Sequence, residues 1–104
     1  MEIFVINGSP RKTGNTSDML KSFMEGVKSV DDTINISSIN LYDLKFTGCK
    51  SCFGCKLAKG LTYGSCIMKD DLHDLLPRLF QADAIVLGSS IYFGDMTGEM
   101  KCFL

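Results

Sequence analysis

The stretch Ile3-Phe4-Val5-Ile6-Asn7-Gly8-Ser9-Pro10-Arg11-Lys12-Thr13-Gly14-Asn15-Thr16 decides the fold class. The unbroken apolar run from Ile3 to Ile6 reads as a strand buried on both faces, the habit of a parallel sheet. It stops at Asn7-Gly8, and a polar turn follows. From Asn15 to about Val27 the period changes: Met19, Leu20, Phe23, Met24 and Val27 recur at helical spacing. Asn15, Thr16 and Ser17 are candidate N-caps, and Asp18 suits the first turn. Strand, turn and helix in this order open a β-α-β unit.

Outward from that unit, Ile34 and Ile36 alternate with polar residues, so Thr33 to Ile39 reads as a second strand. Leu41 to Met68 has no clean period and holds four cysteines and four glycines. An ordered loop of that length inside a compact domain is usually functional. Asp70 and Asp71 start a second helix with Leu72, Leu75, Leu76, Leu79 and Phe80 on one face, and Pro77 is expected to kink it. Ala84 to Leu87 reads as a third buried strand, and a third helix begins near Thr97-Gly98. With right-handed crossovers this order gives an α/β, doubly wound parallel sheet of strand order 2-1-3.

The chain has 104 residues, 45% hydrophobic and 22% charged, with a formal net charge of -1. That bounds it to one domain of globular composition, 1–104, without repeats or an interdomain linker. The charge balance gives no reason to expect nucleic acid or an anionic membrane as partner. No apolar run approaches the ~20 residues of a membrane span, and the acidic start is unlike a signal peptide. A cytoplasmic protein is therefore expected, in which five cysteines mean thiols, a metal site or redox chemistry rather than structural disulfides.

Two segments carry candidate chemistry. The loop Gly8–Thr16 enters a helix N-terminus, where free N–H groups and the helix dipole suit an anion. Ser9 and Thr16 add hydroxyls, Asn15 an amide and Arg11 a charge. Five residues separate Gly8 from Gly14, and Asn15 stands where a P-loop has lysine, so this is not a Walker A loop. The plainer reading is a polar turn with a good cap. The second segment, Ser89 to Gly98, leaves strand three across the switch-point crevice. Its residues Ser90, Ile91, Tyr92, Phe93 and Gly94 suit a flat ring system. Ile91 taken alone reads better as a core residue.

At these residues the chain resembles the NAD(P)H-dependent FMN reductase and iron–sulfur flavoprotein families. Their signature is a G-S-P-R-x-x-G-N-T loop and a later S-P-x-Y-F-G-x-M-T-G-x-M-K segment. The first matches throughout, and the second departs only at Ser90, where the pattern has proline. The resemblance implies a flavodoxin-like fold with FMN phosphate on Ser9, Arg11, Asn15 and Thr16, and the isoalloxazine near Tyr92, Phe93 and Gly94. It implies an oxidoreductase that passes hydride from NAD(P)H to flavin and electrons on to an acceptor. The alternative is a flavin-binding electron carrier, or an inactive truncated fragment, without turnover of its own.

Cys49-x-x-Cys52-x-x-Cys55, followed after ten intervening residues by Cys66, could share a metal or cluster. The resemblance implies a 4Fe–4S cluster for such a triplet and a nearby fourth cysteine, although the last gap is longer than expected for that group. A set of reduced thiols beside the flavin is the alternative. Cys102 reads as a packing residue and His73 as a surface one. The Asp70-Asp71 pair reads as helix-dipole compensation.

The resemblance also implies a five-stranded sheet, of which this chain supplies three strands. The expectation is thus the N-terminal part of a single FMN-binding domain. Ala84–Leu87 would then be an edge strand, and the chain would either self-associate there as a homo-oligomer, a dimer for instance, or be a fragment of a longer polypeptide.

Overall fold

A computed structural model describes residues 1–57, 60, 61 and 63–104. The remaining three positions belong to the long cysteine-bearing loop. Strand β1 (Glu2–Asn7) is central in a parallel sheet, with β2 (Asn35–Asn40) on one side and β3 (Ala84–Gly88) on the other. The order 2-1-3 is that expected of the flavodoxin-like arrangement. The register sets Phe4 against Ser37 and Ile85, and Asn7 against Asn40 and Gly88.

The apolar run of β1 follows from burial on both faces. Side chains alternate across a strand. Ile3 and Val5 meet Leu20 on one face, with Met24, Val27, Ile36 and Val86 packed around them. Phe4 and Ile6 meet Leu41, Leu72, Leu75, Leu79 and Met100 on the other. The first face is covered by helix α1 (Asn15–Val30) and the second by α2 (Asp71–Phe80) and α3 (Gly98–Phe103). The Arg78 guanidinium also lies 5.3 Å from the centre of the Phe4 ring, within cation–π range.

Several local expectations are corrected. None of Asn15, Thr16 and Ser17 is the N-cap of α1: Gly14 holds that place at φ 137°, and no side chain caps the helix. Among the apolar positions of α1 only Leu20 is fully buried, and Met19 is 74% exposed. The helix is wider than the strip of sheet it covers. On α2, Phe80 is exposed rather than in the leucine face. One residue is about 100° round a helix, so Phe80 follows Leu79 off the buried stripe. The helix runs through Pro77. Asp70 caps it by accepting from Leu72 N–H at 3.0 Å, while the Asp71 carboxylate accepts from Lys45 N–H. Asp71 thus ties the helix to the long loop, beyond any dipole role.

The second strand starts at Asn35, because Asp31 holds the preceding residues in a turn. Its carboxylate accepts from Thr33 Oγ1 at 2.6 Å and Thr33 N–H at 2.9 Å, which lowers its pKa below the ordinary carboxylate value. The third strand is the edge strand that a three-stranded sheet implies, not the buried one its apolar run suggests: Ile85 and Leu87 are each 46% exposed. It pairs only with β1 among the described residues, so its composition is that of a central strand in an edge position.

Candidate functional site

The carboxyl ends of β1 and β3 meet where the chain makes its two turns, and Gly8 N–H donates to Gly88 C=O at 2.7 Å between them. A Cβ on Gly8 would lie 2.8 Å from Met100 Cε and 3.3 Å from Gly88 O, so a larger residue would force Met100 aside and press on the Gly88 carbonyl. Asn7 then shapes the turn. Its Oδ1 accepts from Ser9 N–H at 2.9 Å, and its Nδ2 donates to Ser17 Oγ at 3.1 Å. The Gly8–Thr16 loop thereby folds back against the start of α1.

Together these turns enclose a cavity of about 210 Å³. The loop contributes Ser9, Arg11, Thr13, Gly14, Asn15 and Thr16, and the facing segment contributes Ser90 and Tyr92. Six of the expected site residues are therefore brought together: Ser9, Arg11, Asn15, Thr16, Ser90 and Tyr92. Lys12 is drawn away by an ion pair with Asp43 at 3.0 Å. Arg11 has no carboxylate partner among the described residues, so it is the cation available to the cavity.

Ile91, Phe93 and Gly94 do not line this cavity. They belong to a small antiparallel hairpin of β4 (Ile91–Tyr92) and β5 (Asp95–Met96). Phe93 and Gly94 form its two-residue turn at φ 52° and 77°, the positive values of a type I′ turn. That conformation strains a bulky residue such as phenylalanine. The reading of Ile91 as a core residue is corrected, since it is 78% exposed, and Phe93 projects fully into solvent. The hairpin presents an aromatic surface beside the cavity mouth rather than a closed slot.

Two site residues escaped the sequence reading. Asn7 looked like a strand end, although asparagine before glycine is a turn signal in its own right. Thr97 is completely buried and does three things at once. Its Oγ1 donates to Gly8 C=O at 2.6 Å and accepts from Met100 N–H at 3.3 Å as the cap of α3. Its own N–H donates to Ser89 Oγ at 3.0 Å. A threonine before a short helical run is a cap signal, but its reach across to Gly8 has no sequence signature.

The residues present fit the phosphate end of FMN. The α1 N-terminus is uncapped by any side chain, the Ser9 hydroxyl can donate, and Arg11, without a carboxylate partner among the described residues, is alongside. The cavity is smaller than the ~300–1,000 Å³ usual for organic ligands.

The cysteines are placed differently. Cys49, Cys52 and Cys66 are exposed, and Cys55 is half-buried in a 3-10 turn at Gly54–Lys56. Among the described residues no three histidine, cysteine or acidic side chains come together as metal ligands. Cys49 and Cys66 instead share with Cys102 the wall of a second cavity, of about 440 Å³, between the long loop and α3. Cys102 is exposed at that wall, not a packing residue. His73 is exposed, as expected.

A parallel sheet of order 2-1-3, with an open helix N-terminus at the carboxyl end of its central strand, defines a flavodoxin-like domain. The sequence profile of the NADPH-dependent FMN reductase family matches residues 1–104, and the chain belongs to that family. It is 39% identical over 101 residues to an iron-sulfur flavoprotein of Archaeoglobus fulgidus, covering 97% of this chain and 46% of that protein. It is 31% identical over 104 residues to an iron-sulfur flavoprotein of Methanocaldococcus jannaschii, covering 100% of this chain and 50% of the relative. An iron-sulfur flavoprotein of Clostridioides difficile is 31% identical over 107 residues, covering 99% and 44%. The chain spans about half the length of these curated relatives.

Proposed function

We propose that this chain binds FMN, with the phosphate in the Gly8–Thr16 cavity, as part of an oxidoreductase that takes electrons from NAD(P)H and passes them to an acceptor. The observation that carries the reading is the convergence of Ser9, Arg11, Thr16 and the uncapped α1 N-terminus on one cavity in a member of the FMN reductase family. Bound FMN would supply hydride and electron chemistry. The chain's own residues do the holding. Arg11 and the first turn of α1 neutralise the phosphate, and Tyr92 borders the path toward the ring. No helix among the described residues is long and apolar enough to cross a membrane, which agrees with a catalyst acting on dissolved nicotinamide.

The visible spectrum of protein purified without oxygen tests this. Absorbance near ~450 nm that bleaches on adding NADPH is expected from the flavin chromophore. Protein that takes up no FMN, even when it is added, would contradict the reading. A second reading keeps the family's cluster, supported by the relatives' names and the Cys49-x-x-Cys52-x-x-Cys55 spacing. Iron and sulfide assayed on the same sample decide it. Folded, iron-free protein that binds FMN leaves the cysteines as thiols.

We also propose that the chain self-associates through β3. Its outer edge leaves backbone N–H and C=O groups without strand partners among the described residues, and Ala84 to Gly88 contains no charge to block pairing. Such an edge matches another copy of itself, with Ile85 and Leu87 adding apolar contact. Light scattering on eluting fractions should give at least twice the monomer mass, and Leu87→Lys should lower it. A soluble monomer at high concentration would rule this out.

A further inference from the structure

The hydroxyls of Ser9, Ser90 and Thr16 form one chain along the wall of the 210 Å³ cavity. Ser90 Oγ donates to Ser9 Oγ at 2.9 Å, and Ser90 Oγ and Thr16 Oγ1 lie 3.4 Å apart. Arg11 N–H also donates to Ser9 Oγ, at 3.2 Å. A hydroxyl has one proton and two lone pairs, and that count fixes the direction of the whole chain. The Ser90 proton is engaged by Ser9, so the proton between Ser90 and Thr16 comes from Thr16. Ser9 Oγ accepts from both Ser90 and Arg11, so both of its lone pairs are filled. Its own proton is the free end of the chain, and no described group accepts it.

We propose that Ser90 is a positioning residue that turns Ser9 into an obligate donor toward the cavity, and that this gives the site its preference for a phosphate oxyanion. The inference rests on the reading of the cavity as the FMN phosphate site. It concerns a position where this chain departs from the family pattern. The pattern's proline has neither proton nor hydroxyl there, so it cannot fill a Ser9 lone pair or accept from Thr16. With Ser90 gone, Ser9 is free to turn its proton elsewhere and offer the ligand a lone pair, which repels an anion. Ser90 acts through Ser9 and needs no contact with the ligand.

The test compares FMN with riboflavin, which carries the same ring and ribityl chain without phosphate. Affinities for both are measured by quenching of flavin fluorescence in the wild-type chain and in Ser90→Ala, Ser90→Pro and Ser90→Thr, with circular dichroism as the check on folding. The expected result is that Ser90→Ala and Ser90→Pro weaken FMN about fivefold, the worth of one net hydrogen bond, and leave riboflavin unchanged. Ser90→Thr should restore the FMN preference. Equal weakening of both flavins would overturn the proposal, because Ser90 would then serve the ring or the fold. A wild-type preference for FMN that Ser90→Ala leaves intact would overturn it while leaving the phosphate site standing. A wild-type chain that binds both flavins equally would overturn both.

Discussion

Replacing Arg11 and Thr16 together by alanine should weaken FMN binding about 30- to 700-fold, or roughly 2–4 kcal/mol. Arg11 makes the larger contribution, because a hydrogen bond to a charged group is worth about twice a neutral one. Its loss has no ready substitute. Lys12, next in sequence, is held by Asp43 at 3.0 Å on the other side of the loop. Loss of Thr16 removes a hydroxyl from the cavity wall and the donor to Ser90. Fluorescence titration with FMN measures the effect, and riboflavin provides the control, since its affinity should change little. Unchanged FMN affinity in the double variant would move the phosphate to another part of the molecule.

The second large effect is on stability. Phe4 is completely buried, sits in the central strand and packs against Leu41, Leu72, Leu75, Leu79 and Met100. Phe4→Ala should cost about 3–5 kcal/mol through lost burial and the cavity left behind. A domain of this size has about 5–15 kcal/mol in total, so the variant should melt at least ~12 °C lower. Thermal circular dichroism measures it. Phe93→Ala is the matched control. That ring is fully exposed at a turn with φ 52°, and its removal should leave stability within about 0.5 kcal/mol. A Phe4→Ala melting point within a few degrees of the parent's would show that the two-sided burial of β1 is not what holds the sheet.

How much of this was legible before any coordinates depended on length and on partners. The sequence of β1 spelled out its own environment, since four adjacent apolar residues are unstable in water unless both faces are covered. The loop Gly8–Thr16 was legible as a strand-to-helix turn from its glycines and hydroxyls, but not its cap, since Gly14 and none of the three polar candidates takes that place. The hairpin at Ile91–Met96 was not. Strands of two residues are shorter than any hydrophobic period, and a phenylalanine at positive φ runs against the usual turn chemistry. Composition alone gave Ile85 and Leu87 as buried, because it records what a strand prefers and not which neighbours it has; their half-exposure followed only from counting three strands against the five that the resemblance implies. The placement of the cysteines was hidden for a related reason. The spacing of Cys49, Cys52 and Cys55 brings thiols close along the chain, but their directions depend on the turn at Gly54–Lys56. The partner that Cys49 and Cys66 share across the larger cavity, Cys102, lies at the far end of the sequence.

Thr97 has a consequence for motion. Its hydroxyl joins the Gly8 carbonyl to the first turn of α3, and its amide joins both to Ser89. The Gly8–Thr16 loop, the hairpin segment and α3 are thus joined at one buried residue. Local unfolding here is expected to involve the three together. An anion that steadies the loop at Gly8 should therefore slow the opening of the segment around Ser89 and Thr97, eighty or more positions away, which amide hydrogen exchange would read.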